Sequence, residues 1–301
     1  MRPSLAITLD RDDTMLTTAA ALIIQGVLLG GLYALFALGL SLSVGIVRFV
    51  NIAHGDFIVL ASYLLLVFTT ALGVNIIVAL ALIIPLGFAG GYILQRFLLM
   101  RLAGKSALLP LLVTFGLAII VQNGLLEAFG ADTHALNNVT LETSSIAIGG
   151  IHIGVLPVLT FLVAVALVLL LDLVLYRSRL GASIRAVSED VATANLIGLS
   201  SPRISAIAMG MVGVTVVIAA WFMGLQMNFD PTAGPSRLLT AFEAVVLGGL
   251  GSLWGTLAGG VVLGLAQSVA GQYDAGWQLL AGHLTFLAIF LLRPEGLFPK
   301  Y

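Results

Sequence analysis

Long runs without a single charge set the limits on what this chain can fold into. No Asp, Glu, Lys or Arg occurs in residues 14–47, 57–95, 106–126, 143–171, 204–229, 244–273 or 275–292. A transmembrane helix needs about 20 mostly apolar residues, and nearly every one of these runs reaches or approaches that length. Only 9% of the 301 residues are charged and 60% are hydrophobic, whereas a soluble domain carries roughly 25% charged residues. The chain therefore reads as an all-α integral membrane protein with about eight (eight or nine) transmembrane helices. The spans fall near 17–45, 56–73, 76–95, 106–129, 155–176, 204–225, 240–271 and 276–292.

Residues 1–16 form a polar N-terminal leader. Its basic residues are mixed with Asp10, Asp12 and Asp13, and the apolar run behind it is too long for a signal-peptide h-region, so the first span is expected to be retained. Residues 17–298 read as a single transmembrane domain. Lys and Arg concentrate in short cytoplasmic loops. Arg96, Arg101 and Lys105 mark one such loop, Arg177, Arg179, Arg185 and Arg203 mark the loop 177–203, and Arg293 and Lys300 put the C-terminus inside. The stretch 130–154 has no Lys or Arg and is expected outside. Parity then demands an odd number of crossings between 238 and 292. The glycine-rich "GGLGSLWG" at 248–255 supplies it, because glycine costs about 1 kcal/mol relative to Ala in a helix interior. A half-membrane helix over 240–248, a break and a full span from about 253 restore the count. Such backbone is tolerated only where protein buries it or it lines a cavity. In the outer loop, "SIAIGGIHIG" (145–154) fits a small β-hairpin around Gly149-Gly150, with an irregular loop as the alternative.

The 34 glycines include pairs at four-residue spacing, Gly26/Gly30, Gly87/Gly91, Gly251/Gly255/Gly259 and Gly260/Gly264, which suit close packing of helices in lipid. The absence of cysteine removes thiol chemistry and disulfides, and a net charge of −1 argues against nucleic acid as a partner. "AGKS" (103–106) resembles the end of a phosphate-binding loop, but Leu99 stands where its first glycine belongs. His54, His134, His152 and His283 lack metal-ligand spacing. No catalytic residue, metal or cofactor is expected.

Two stretches carry polar groups of interest. "VNIAHGDF" (50–57) sits between the first two spans. Asp56 there falls at a helix N-terminus, where the dipole stabilises a carboxylate, and Gly55 permits a backbone break, so Asn51, His54 and Asp56 read as a helix cap and bend beside any pathway. Glu243 begins the broken segment. It is a functional candidate if it lies within the membrane and interfacial if the boundary falls near 242. In the loop 177–203, Ser188 reads as an N-cap followed by Glu189 and Asp190. Ala194 and Leu196 continue that helix and Gly198 stops it. Such a helix suits either docking into a soluble partner or resting on headgroups.

"NIAHGDF" (51–57), "GASIRAVSEDVATANLIGLSSPRISAIA" (181–208), "AFEAVVLGGLGSLWGTLAGGVVLGLAQ" (241–267) and "LLRPEGLF" (291–298) resemble the permease subunits of bacterial branched-chain amino-acid ABC transporters, and the shorter of the two permease types. The resemblance implies a multi-pass protein of the inner membrane that imports small aliphatic amino acids without chemistry of its own. It implies four kinds of partner: membrane lipid, a second homologous permease, two cytoplasmic ATPases and a periplasmic substrate-binding protein. It also makes the helix at 188–198 the coupling helix, and brings Asn51 and His54 to the pathway or its gate. The chain departs from the family at Ile52, where Phe is usual, at Asp56, where Glu is usual, and at Glu243, a position commonly uncharged. The alternatives are a permease for urea or short amides and an ion-coupled secondary transporter, which would want intramembrane carboxylates.

Overall fold

The computed structural model describes residues 4–102, 106, 108–137, 143–148 and 151–298. Its helices are α1 (Ser4–Val47), α2 (His54–Thr70), α3 (Ile76–Ile93), α4 (Leu108–Phe129), α5 (Val155–Arg177), α6 (Arg179–Glu189), α7 (Val191–Leu196), α8 (Ser201–Gln226), α9 (Gly234–Gly248), α10 (Leu253–Gly271) and α11 (Ala275–Leu292). Among the described residues seven helices are long and apolar enough to cross a membrane, and α2 is a shorter apolar helix. The helix of α1 begins inside the polar leader and runs on into the first span. Strands β1 (Ser145–Ile148) and β2 (Ile151–Gly154) pair antiparallel as the expected hairpin; its turn, Gly149-Gly150, lies outside the described residues, as do Lys105 and Lys300.

The middle of α1 is the centre of the bundle. It is buried from Gly30 through Ser43 and packs against α5, α8, α9 and α10. Glycine makes the α1–α10 contact possible: a Cβ on Gly26 would lie 2.8 Å from the Cα of Leu265, and one on Gly264 would lie 2.5 Å from the backbone N of Gly30. Between α3 and α8 the same device recurs at Gly87 and Gly91, which face Gly213 and Met209. On the side of the 130–154 loop, Tyr63 of α2 packs its ring on Phe129, Phe229 and His134, with centroids 4.6, 5.1 and 5.5 Å away. His134 and Phe229 also exchange backbone hydrogen bonds of 2.8 and 2.9 Å, tying the loop to the end of α8.

The break between α9 and α10 falls at 249–252, inside the glycine cluster. Gly249 and Gly251 take φ of +100° and +79°, the left-handed region that only glycine enters cheaply. A helix end leaves carbonyls without partners. Here the C-terminal segment supplies them, since the N–H groups of Leu297 and Phe298 donate to the carbonyls of Leu247 and Gly248 at 2.8 and 3.1 Å. Ser252 Oγ accepts the N–H of Gly255 and starts α10. The half-helix is longer than the expected 240–248, because Pro235 in its first turn sets φ for a helix start at Gly234. Glu243 consequently lies well inside α9 and is 2% exposed. It does not open the segment.

Candidate functional site

The junction between α1 and α2 builds one wall of a cavity. Arg48 ends α1 with φ of +58°, and the chain turns into α2 at His54. Asn51 Oδ1 accepts the N–H of Ala53 at 3.1 Å and Thr114 Oγ1 of α4 accepts that of Ile52 at 3.2 Å, so the turn's backbone donors are satisfied. Asp56 stands in the first turn of α2, as the dipole argument requires, but it makes no cap. Its Oδ1 accepts from Gln122 Nε2 of α4 at 2.8 Å. Gly55 does not bend the helix either. A Cβ there would lie 2.7 Å from the backbone N of Leu238, so the missing side chain lets α2 cross α9 backbone to backbone.

His54 Nε2 lies 2.9 Å from the carbonyl oxygen of Phe36 in α1. A carbonyl can only accept, so Nε2 carries the proton. Nδ1 is buried and has no protein partner; in the neutral ring it is a free acceptor. Asn51 and His54 line a half-open cavity of about 410 Å³ between α2, α3, α4 and α8, inside the roughly 300–1,000 Å³ range of small-molecule sites. The rest of its wall is aliphatic or glycine, including Leu60, Leu64, Leu86, Val212 and Val216, together with Phe57. Asp56 and Glu243 are not among its lining residues.

Glu243 belongs to a separate buried polar network. Its Oε1 lies 2.5 Å from His283 Nδ1 of α11, while Oε2 is buried without a partner. Nearby, Tyr33 of α1 donates its hydroxyl to Gln267 Oε1 of α10 at 2.5 Å. Tyr33, Gln122, Gln267 and His283 were not legible as site residues. Each is a lone polar residue within an apolar run, which marks it as costly in a membrane, but no local spacing reveals its partner on another helix.

The loop 177–203 folds differently from expectation. Ser178 Oγ accepts the N–H of Gly181 at 2.9 Å and caps α6, so a helix already runs through 179–189. Ser188 is no N-cap; it sits in the last turn of α6 and donates Oγ to the carbonyl of Arg185 at 2.8 Å. Glu189 is the last residue of α6. Asp190, in an extended conformation, is the cap of the short α7, its Oδ1 accepting the N–H groups of Ala192 and Thr193 at 2.9 and 3.3 Å. The Thr193 hydroxyl bonds to its other oxygen. These bonds, that of the Thr193 hydroxyl first, hold the Asp190 carboxyl below the usual carboxylate range. Gly198 ends the turn with φ of +88°, as expected of a C′ glycine. Ala194 is buried against the bundle, whereas Leu196 and Ile197 are 87% and 69% exposed. Asn195 Oδ1 accepts from Ser201 Oγ at 2.6 Å and ties the loop to α8.

Residues 22–292 match the family described as the branched-chain amino acid transport system permease component. The chain is 29% identical over 290 residues to the high-affinity branched-chain amino acid transport system permease protein BraD of Pseudomonas aeruginosa, covering 91% of this chain and 94% of that one. It is 28% identical over 294 residues to the corresponding protein LivH of Salmonella typhimurium, covering 91% and 93%. The fructose import permease protein FrcC of Rhizobium meliloti is 28% identical over 307 residues, covering 91% and 83%. No solved structure matches the chain.

Proposed function

The chain belongs to the branched-chain amino acid transport permease family, and from that premise we propose that it is a translocation subunit of an ATP-driven importer of small aliphatic amino acids in the bacterial inner membrane. The observation that carries the substrate class is the cavity wall. Asn51 and His54 are its polar side chains, and the remaining surface is aliphatic, aromatic or glycine. A sugar or urea needs a polar partner for each of its hydroxyl or amide groups, and this wall offers too few. An aliphatic side chain is accommodated by the leucine and valine faces, with His54 Nδ1 as an acceptor for an ammonium group. Weak, mostly apolar binding suits a path that must release what it admits, while a periplasmic binding protein supplies the selectivity.

In this reading a second, homologous permease completes the pathway, and two ATPases dock at the cytoplasmic loop 177–203. Glu189, Asp190 and Leu196 form the contact, with Ser188, Ala194 and Gly198 shaping the turn. The C-terminus is cytoplasmic and the 130–154 loop external. The buried Glu243–His283 pair would favour an ion-coupled transporter, but it lies outside the cavity wall, and the family match supports the ABC reading. Reconstitution tests it. Leucine uptake into liposomes is expected to need the second permease, the ATPases, the binding protein and ATP; robust uptake by this chain alone without ATP refutes it. The double variant Glu189→Arg/Asp190→Arg is expected to insert normally and to lose ATPase association, and unchanged assembly and transport would remove the coupling role.

A further inference from the structure

A second cavity, of about 400 Å³, lies where α1 ends, α5 turns into α6 and the α9–α10 break passes beside them. Its lining has two characters. Leu42, Ile184 and Leu253 are buried and apolar, whereas Arg48, Arg185 and Glu189 bring both signs of charge. None of these three has an ion-pair partner among the described residues. Arg185 lies over the Tyr176 ring, 5.1 Å from its centroid, and its Nη1 is buried without a hydrogen-bond partner. Ser41, also in the lining, is fully buried and its Oγ has no partner. Ser43 Oγ, two residues along α1, and the Tyr63 hydroxyl are buried without a partner in the same way, whereas the hydroxyls of Ser62, Thr160 and Thr256 each donate to the carbonyl four residues back. A buried polar atom without a partner is costly, and a ligand carboxylate that bonds the Arg185 guanidinium recovers that cost.

We infer that this cavity is a binding site for a free aliphatic amino acid in its zwitterionic form, on the face that the proposed topology puts in the cytoplasm. The α-carboxylate lies against Arg185 and Arg48, the α-ammonium against Glu189, and the side chain against Leu42, Ile184 and Leu253. Opposite charges flanking an apolar wall match a zwitterion with a hydrocarbon side chain; an inorganic anion would have no use for Glu189 or for that wall, and a zwitterionic phospholipid, which could use both, would fill the cavity in a nanodisc and leave no saturable leucine binding. The inference rests on the proposed topology and substrate class and adds a regulatory consequence. The lining joins α6 of the coupling segment to α1 and, through Gly251 and Leu253, to the helix break. A ligand that bridges them stabilises that one arrangement, so amino acid accumulated inside acts as a brake on further import.

The test uses the full chain in lipid nanodiscs with radiolabelled leucine as the probe. Leucine is expected to bind saturably. Leucine methyl ester, which lacks the carboxylate, 4-methylpentanoate, which lacks the ammonium, and inorganic phosphate should each compete about tenfold less well or worse. Removing a charge-assisted contact in Arg185→Gln should weaken binding about tenfold or more, with Arg185→Lys closer to wild type and Arg48→Gln as an independent variant. In liposomes carrying the assembled transporter, leucine loaded on the ATPase side should slow ATP-driven uptake in wild type and not in Arg185→Gln. Absence of leucine binding, binding unchanged in both glutamine variants, or phosphate competing as well as leucine overturns the site. So does loss of ATPase association in Arg185→Gln with leucine binding intact, which would make the cavity a protein docking socket. ATP-driven leucine uptake with no effect of internal leucine overturns this inference alone, whereas absence of any ATP-driven uptake overturns the proposed function.

Discussion

Alanine at three neighbouring glycines of α3 should change stability in opposite directions. A Cβ on Gly87 would lie 2.7 Å from the carbonyl oxygen of Gly213 and 2.5 Å from Val217 Cγ2. One on Gly91 would press on the backbone of Met209, 2.9 Å from its carbonyl carbon, while one on Gly90 would meet nothing within 4 Å. Bringing the Gly87 contact from 2.7 Å to an ordinary 3.4 Å separation means moving α3 off α8 by about 0.7 Å, and overpacking of this kind costs typically about 1–3 kcal/mol. Against it stands a gain of roughly 0.5–1 kcal/mol for replacing a mid-helix glycine by Ala. Gly90→Ala keeps the gain without the cost and should be stabilised, whereas Gly87→Ala and Gly91→Ala should be destabilised by about 1 kcal/mol net, the middle of a range reaching about 2.5 kcal/mol. With about 2–4 °C per kcal/mol for a chain somewhat smaller than this, Gly90→Ala should melt a degree or more above wild type and the other two several degrees below. The readout is thermal stability in detergent by size-exclusion chromatography after heating. If all three shift the same way, or if Gly91→Ala melts with wild type, then glycine-mediated backbone contact does not hold α3 to α8.

At the Glu243–His283 pair, His283→Ala should destabilise the protein by about 1–3 kcal/mol, the cost of leaving the buried Glu243 side chain unpaired, and Glu243→Ala, which strands only the part-exposed imidazole, by less. In the double variant the losses should not add, and an additive double-mutant cycle would show the two side chains to be uncoupled. Ser178→Ala removes the true cap of α6 and should cost about 1 kcal/mol; Ser188→Ala should stay close to wild type, and the reverse order would restore Ser188 as the cap. The carboxyl of Asp190 titrates below its usual range, so its bonds to α7 are intact above the ordinary Asp value of about 3.9 and are lost as the pH falls through the lower folded value. Amide exchange at Ala192 and Thr193, corrected for the intrinsic rate, should therefore show α7 fraying only under strongly acid conditions. Asp190→Asn should abolish that pH dependence, and fraying at neutral pH would contradict it.

Span positions were legible because burial in lipid writes a long, local signal. The runs place helices near 56–73 and 204–225, and the structure has His54–Thr70 and Ser201–Gln226. The break was legible for the same reason, since a positive φ at Gly249 and Gly251 is a property of those residues themselves. Pairings across the bundle were not, because nothing near Asp56 announces Gln122, and nothing near Gly248 announces the N–H of Phe298. The Ser188 error is of another kind. Ser178, Ser188 and Asp190 all offer a capping oxygen, and the Ser-Glu-Asp string outweighed the pattern that decides between them. Leu180, Ile184 and Val187 recur at helical spacing and are packed inward, which carries the helix back to 179 and leaves Ser188 in its last turn.

The same packing connects α6 to the cavity lined by Asn51 and His54. Gly181 of α6 abuts the carbonyls of Val174 and Leu175, so α6 is seated on α5 without side chains between them. It also packs on α1 and α8. Gly45, near the C-terminal end of α1, lies against Gly251 of the break, where an added Cβ would come within 3.2 Å of its Cα. Nine residues along α1, about 13.5 Å at 1.5 Å per residue, stands Phe36, whose carbonyl accepts from His54 in the cavity wall. A single helix therefore links the segment 177–203, the break and the cavity, and its glycine seam with α10 packs the two helices backbone to backbone. On the opposite wall α3 is held to α8 by its own glycine seam, whereas α4, among the described elements, packs substantially on α2 alone. Elements with little buried contact move at least cost. A displacement of α4 relative to the rest of the bundle then changes the cavity at Leu117 without unpacking the bundle's centre, which is the mechanical property that alternating access demands of a permease subunit.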